Sequence, residues 1–93
     1  MITLKNYING EMLPPNSGQY IDNIEPATGK HYSLVPESND SDLELAVKAA
    51  ESAKLSWANT SLEKRAEILC RLADLIDENA DELAKAEAID NGK

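Results

Sequence analysis

The chain has 93 residues, of which 9 are basic and 17 acidic, for a net charge of −8. A compact body of 10.2 kDa exposes roughly 5,300 Å² against roughly 14,800 Å² unfolded, so it buries about 64% of its surface and amounts to one small domain at most. With three tyrosines, one tryptophan and no phenylalanine, any core must be aliphatic and alanine-rich.

Residues 1–39 hold 2 basic and 4 acidic side chains and residues 40–93 hold 7 and 13, so the halves carry −2 and −6. That sign repels phosphate backbones and anionic headgroups, which argues against nucleic-acid or membrane partners. No apolar run approaches the roughly 20 residues of a membrane span. The N-terminal residues lack the basic and apolar regions of a secretory signal. The single cysteine, Cys70, excludes an internal disulfide and a cysteine-cluster metal site. A cytoplasmic chain is the simplest expectation.

The chain changes character near residue 39. All four prolines precede it, and only one glycine, Gly92, follows it. A β-rich arm over 1–38 and a helical segment over 39–93 are predicted. In the arm, Tyr7-Ile8 runs into Asn9-Gly10, the dipeptide that best accepts the positive φ angles of a two-residue hairpin turn, and Glu11-Met12-Leu13 is the returning strand. Pro14 to Gly18 reads as a loop, because its prolines lack the ladder donor. Tyr20 to Ile24 is a second extended run, Pro26-Ala27-Thr28-Gly29 a turn, and His31 to Val35 a third strand.

Two starts compete for the first helix: Asn39 with Asp42, or Ser41 with Glu44. Leu43, Ala46, Val47, Ala50, Ala53 and Trp57 then recur at helical spacing on one face. Thr60 with Glu63 signals a second helix, carrying Leu62, Ala66, Leu69, Leu72, Ala73 and Ile76, with Glu67 and Arg71 at the favourable i,i+4 spacing. Asn79 with Glu82 signals a third, carrying Leu83, Ala86 and Ile89 and ending at Gly92. These stripes are wider than a three-helix cluster of this size needs.

The residues alone carry little chemistry. Cys70 lies in an apolar helical stretch and its one possible base, His31, lies in the arm, so it reads as a buried or half-buried packing residue. His31 reads as an ordinary strand residue. Asp74, Asp77, Glu78, Asp81 and Glu82 straddle a helix junction and read as a solvated face, without the looped oxygen cage that Ca²⁺ prefers. Gly29-Lys30 lacks the rest of a phosphate loop, and no G-x-G-x-x-G is present.

The order of the pieces says more. Asn6-Tyr7-Ile8-Asn9-Gly10-Glu11, Glu25-Pro26-Ala27-Thr28-Gly29-Lys30, Val35-Pro36 before a capped helix with Ala46-Val47-Lys48-Ala49-Ala50 and Trp57, then Arg65, Leu72-Ala73-Asp74-Leu75-Ile76 and Asp90-Asn91-Gly92-Lys93, together resemble the N-terminal segment of the NAD(P)-dependent aldehyde dehydrogenase superfamily. Glu25 departs from the asparagine usual there. The arm looks most like the muconic-semialdehyde and betaine-aldehyde dehydrogenases.

The resemblance covers roughly the first fifth of a family chain. It implies an α+β segment, a β-hairpin arm followed by three helices, that begins a Rossmann-like α/β cofactor-binding domain. It also implies oxidation of an aldehyde to an acid with NAD or NADP, the remainder of the dehydrogenase chain as partner, and a homo-oligomer when complete. The family's nucleophile, general base, oxyanion asparagine and cofactor turn match no residue here, so no catalytic or cofactor-binding side chain is expected, and Cys70 matches a helix position. The one position carried over is Ile24, whose backbone carbonyl would help hold a structural monovalent cation. Two other readings stand beside this one: a small acidic helical interaction module, and a non-catalytic remnant of a dehydrogenase gene. Ending on Gly-Lys points to a piece of a longer chain.

Overall fold

A computed structural model describes residues 1–92; Lys93, the last residue of the predicted helical segment, lies outside them. Five strands occupy the arm: β1 (Ile2–Thr3), β2 (Asn6–Ile8), β3 (Glu11–Leu13), β4 (Tyr20–Glu25) and β5 (Lys30–Pro36). Three helices follow: α1 (Asp40–Ala58), α2 (Leu62–Glu78) and α3 (Ala80–Asn91).

The strands form two sheets. β2 and β3 pair antiparallel through Asn9 and Gly10, at φ 52° and 78°, as the Asn-Gly signal requires. β4 and β5 pair antiparallel across the Pro26 to Gly29 turn, closed by the Gly29 N–H donating to the Glu25 carbonyl at 2.8 Å. β1 adds to the far side of β5 in parallel, giving the order β1-β5-β4. At two residues β1 is too short to carry an alternation signal. The β4–β5 ladder contains a bulge: Asn23 opposes Ser33 and Ile24 opposes His31, so Tyr32 is the extra residue.

Of the two candidate starts for α1, the structure uses Asn39. Its side chain accepts from the Asp42 N–H at 3.2 Å while the Asp42 carboxylate accepts from the Asn39 N–H at 3.1 Å. The same carboxylate reaches out of the helix and accepts from the Asn16 N–H at 3.0 Å. Asp42 is therefore buried, and it joins the loop after the hairpin to the first turn of α1. Second links run alongside: Glu37 N–H donates to the Gln19 carbonyl at 2.9 Å and the Ser17 hydroxyl to the Glu37 carbonyl at 3.2 Å.

Three local expectations are corrected. α2 is capped by Ser61, which accepts from the Lys64 N–H at 3.1 Å, because the Thr60 hydroxyl donates back to the Ser56 carbonyl at 2.8 Å and closes the end of α1 instead. Asn79 precedes α3, but its amide donates to the Leu75 carbonyl at 2.8 Å, finishing α2 and leaving α3 without a side-chain cap. Arg71 pairs with Glu78 at 3.3 Å, while Glu67 takes Lys64 at 3.5 Å. Gly92 does end α3, in the left-handed conformation at φ 76°, with its N–H on the Ala88 carbonyl at 2.9 Å.

The helices do not close on one another. The exposed surface is 7420 Å², about 2,100 Å² more than the compact expectation, and the radius of gyration is 16.8 Å against about 12 Å for a globule of this length. Among the described residues the buried apolar side chains are Ile8, laid with the hairpin across Ala46 and Ala49 of α1, and Pro15 in the loop after it. Leu69 of α2 is 59% exposed, and Leu72, Ile76 and Leu83 are exposed beside it. Cys70, expected to be packed, is exposed as well, because no element covers its helix.

Two outcomes follow from this architecture. Asp42→Ala leaves two backbone donors without their partner, so the junction loses about 1–3 kcal/mol; amide exchange at Asn16 and Asn39 should accelerate together, and unchanged protection there would contradict the role. The purified chain should bind a hydrophobic dye or self-associate, since each buried Leu or Ile is worth about 1.5–3 kcal/mol that several residues here forgo. A dye-negative monomer would show that the apolar stripes find cover within the chain.

Candidate functional site

The bulge in β5 creates a place where three side chains from distant parts of the sequence converge. Regular antiparallel strands would put Tyr32 opposite Ile24 and on the other face from Asn23. With Tyr32 as the extra residue, the Asn23 amide instead donates to the Tyr32 hydroxyl at 3.0 Å. The same amide donates to Asp90 Oδ1 on α3 at 2.9 Å, and the Tyr32 hydroxyl donates to that same oxygen. Three side chains thus close a ring of hydrogen bonds between β4, β5 and the last turn of α3. The Gly92 backbone lies against Pro26, where an added Cβ would meet the proline ring at 3.3 Å, so the end of α3 is also fitted to the β4–β5 turn.

Electrostatics follow from the ring. The hydrogen bond to Asp90 holds the Tyr32 proton, with smaller contributions from lost solvation and the carboxylate charge, and raises its pKa above 10.0; Asn23 and Ser33 pull weakly the other way. Reciprocally, the Tyr32 hydroxyl first and the Asn23 amide second hold the Asp90 carboxyl below the ordinary carboxylate value. Beneath the ring, a groove of about 540 Å³ runs between the sheet and α3, lined by Ile2, Leu4, Ser33, Leu83, Ala86 and Ile89.

Ile24, the residue singled out for its carbonyl, lies in β4 at the bulge, next to Asn23. Asn23 and Tyr32 carried no sequence signal of their own, and Asp90 entered only as part of the closing Asp90-Asn91-Gly92-Lys93 stretch: 58 residues separate Tyr32 from Asp90, and the bulge is invisible in an alternation pattern. The other candidates stay apart. His31 Nδ1 faces Asp22 Oδ2 across the strands at 3.5 Å, and the Cys70 thiol is exposed on α2. The acidic cluster spans the α2–α3 junction, where Glu78 is taken by Arg71; no group of three His, Cys, Asp or Glu side chains among the described residues is placed to hold a metal ion. The Gly29-Lys30 turn cannot cradle a phosphate, because its N–H groups are already used: Thr28 and Gly29 donate to the Glu25 carbonyl and Lys30 to the Thr28 hydroxyl. No described helix is long and apolar enough to cross a membrane.

The pH response has a definite sign. Asp90, lowered in the folded state, contributes stability that is complete above the ordinary carboxylate range and is lost as pH falls through its folded value. Tyr32, raised, contributes stability that is complete below its ordinary value and is lost as pH rises through its folded one. The ring therefore holds between these limits and opens at both. In a spectroscopic titration of tyrosinate, Tyr32 should ionise above the ordinary range and Asp90→Asn should bring it back down; a Tyr32 that titrates identically in both proteins would mean the two groups do not interact.

The profile of the aldehyde dehydrogenase family matches residues 13–93. The chain is 48% identical over 89 residues to acetaldehyde dehydrogenase 2 of Cupriavidus necator, covering 96% of this chain and 18% of that protein. It is 42% identical over 93 residues to human 2-aminomuconic semialdehyde dehydrogenase, covering all of this chain and 19% of that one. Its fold superposes on the NAD+ complex of an aldehyde dehydrogenase from Bacillus cereus with a TM-score of 0.90 and 41% identity, over 96% of this chain and 18% of that structure. The chain spans about a fifth of the length of the relatives it matches.

Proposed function

This chain belongs to the aldehyde dehydrogenase family and folds as a segment of its Rossmann-like architecture, and from that premise we propose that it is the N-terminal, structural part of an NAD(P)-dependent aldehyde dehydrogenase, inactive alone. The observation that carries the reading is the combination of a match along nearly the whole chain with a fold that lacks a core. The excess surface of about 2,100 Å² is what one side of a large obligate interface exposes when unpaired.

In this reading the β arm over 1–38 and the helices over 39–93 are parts of one cofactor-binding domain. The exposed faces of α2 and α3 pack on the remainder of the dehydrogenase chain, the complete protein is a homo-oligomer, and it resides in the cytoplasm. Its substrate is an aldehyde, oxidised to the acid, and the nicotinamide, when bound elsewhere in the protein, accepts the hydride. This segment contributes no phosphate-binding turn and no activated thiol. Its task is to complete and stiffen the domain that does.

The bulge contributes a second element of the proposal. The carbonyl of Ile24, next to Asn23 in β4, and the carboxylate of Asp90, bonded to the Asn23 amide, are hard oxygen donors, a donor type that suits a hard, weakly bound monovalent cation. Asp90 lies in the last turn of α3, where the helix dipole disfavours an anion and no basic residue offsets it. A cation there neutralises charge that the fold leaves uncompensated and ties α3 to the sheet.

The 93-residue chain should reduce neither NAD nor NADP with any aldehyde, whereas the intact protein carrying it should. In that intact protein Cys70→Ser should keep turnover per folded molecule within about twofold, since an exposed helical thiol touches no reacting atom. Loss of turnover with an unchanged melting temperature would make Cys70 chemical and overturn the assignment. An intact protein that folds but oxidises no aldehyde would favour the non-catalytic reading.

A further inference from the structure

We propose that Asn9 is a site of spontaneous covalent modification, at which the Gly10 backbone nitrogen displaces ammonia from the Asn9 side chain and leaves aspartyl and isoaspartyl residues at the hairpin tip. The inference does not depend on the dehydrogenase reading. The sequence holds two Asn-Gly dipeptides, Asn9-Gly10 and Asn91-Gly92. Glycine in second place matters because, without a Cβ, its nitrogen is unhindered and its backbone is free to turn. The structure separates the two dipeptides. Asn9 and Gly10 are both exposed in the two-residue turn, and an added Cβ at Gly10 would meet nothing within 4 Å. Among the described residues no group bonds the Asn9 carboxamide or accepts from the Gly10 N–H. At the other dipeptide the Asn91 amide donates to Glu87, and the Gly92 N–H donates to the Ala88 carbonyl at 2.9 Å. Bringing nitrogen to Cγ at the hairpin moves two turn residues, whereas at Asn91 it must first open the last turn of α3.

The chemistry balances without an oxidant or a cofactor. Base removes the Gly10 amide proton, and the nitrogen attacks Asn9 Cγ. The N–Cγ bond forms, the Cγ–Nδ2 bond breaks, and Nδ2 leaves as ammonia after taking a proton from water. Water then opens the cyclic imide at Cγ, giving aspartate, or at the backbone carbonyl of residue 9, giving isoaspartate. In the isoaspartyl product the chain runs through Cγ and gains a backbone atom at the tip. The register that pairs Ile8 with Glu11 and Tyr7 with Met12 depends on the length of that turn. The modification therefore loosens the hairpin that seats Ile8 on α1.

The test ages the intact protein carrying this chain at mildly alkaline pH, with and without urea. The Asn9 and Asn91 peptides are followed by mass spectrometry, with aspartyl and isoaspartyl forms separated by chromatography. In the folded protein the Asn9 peptide should gain the mass of an amide-to-acid exchange in both forms, at least about fivefold faster than the Asn91 peptide, the ratio that the net contribution of one hydrogen bond supplies. In urea the two rates should converge. An Asn9 amide that persists in the folded protein while both sites react in urea overturns the proposal. Equal rates at the two sites in the folded protein overturn it too, since the dipeptide alone would then set the reactivity. Hydrogen exchange from Asn6 to Leu13 should be faster in the isoaspartyl fraction than in unmodified protein, and equal exchange would overturn the loosening of the hairpin.

Discussion

The buried carboxylate of Asp42 is where the strand half and the helix half of this chain become one structure. A charge removed from water is tolerated only when hydrogen bonds replace its solvation, and here the N–H groups of Asn16 and Asn39 do so. Those donors come from the loop after the β2–β3 hairpin and from the residue that starts α1, so satisfying one carboxylate fixes both. Glu37, bonded to Gln19, brings the end of β5 to the same point. With only Ile8 and Pro15 as buried apolar side chains among the described residues, this polar junction sets the direction of α1 where a hydrophobic core would do so in a larger body.

Beyond α1 the chain has no comparable constraint until it returns to the sheet. α2 is held by local bonds, its Ser61 cap and the Arg71–Glu78 pair, and it meets α3 only near their shared end. α3 then comes back to β4 and β5 through polar groups at its C-terminal turn, while its apolar side chains face the open groove. The body is correspondingly flat, 47 × 34 × 16 Å. Large apolar side chains stay exposed on the strands and on all three helices of this layer, so the hydrophobic term within the chain is small.

What could be read from the sequence divides along the range of the interactions. Asn9-Gly10, the Asn39–Asp42 box and Gly92 are short-range devices in which a residue type answers a backbone requirement within four positions, and all are present in the structure. Where two short-range devices compete, the pattern fails: Thr60 and Asn79 could each start the following helix, and each instead closes the preceding one, because a carbonyl one turn behind is already in place. β1 is stabilised by its parallel neighbour and has no signal of its own. The ring at the bulge is out of reach altogether, since it needs one extra residue in β5 and a carboxylate 58 positions away. Resemblance picked out Ile24 and the Asp90-Asn91-Gly92-Lys93 stretch, but neither Asn23 nor Tyr32, the other two members of the ring.

The two aspartates at the sheet–helix contacts show why one is structural and the other belongs to a candidate site. Asp42 is the third residue of α1, where the helix dipole presents positive potential, and backbone N–H groups complete its shell. Its environment is electrostatically closed, and nothing further is needed. Asp90 stands one residue before the end of α3, at the negative end of the dipole, with no basic side chain in that turn. Neutral donors, a phenol and an amide, keep it ionised there, but neutral donors bring no charge. The same residue type thus ends in opposite conditions: at the start of a helix the backbone supplies the compensation, whereas at its end neutral side chains hold the carboxylate in place without supplying a countercharge.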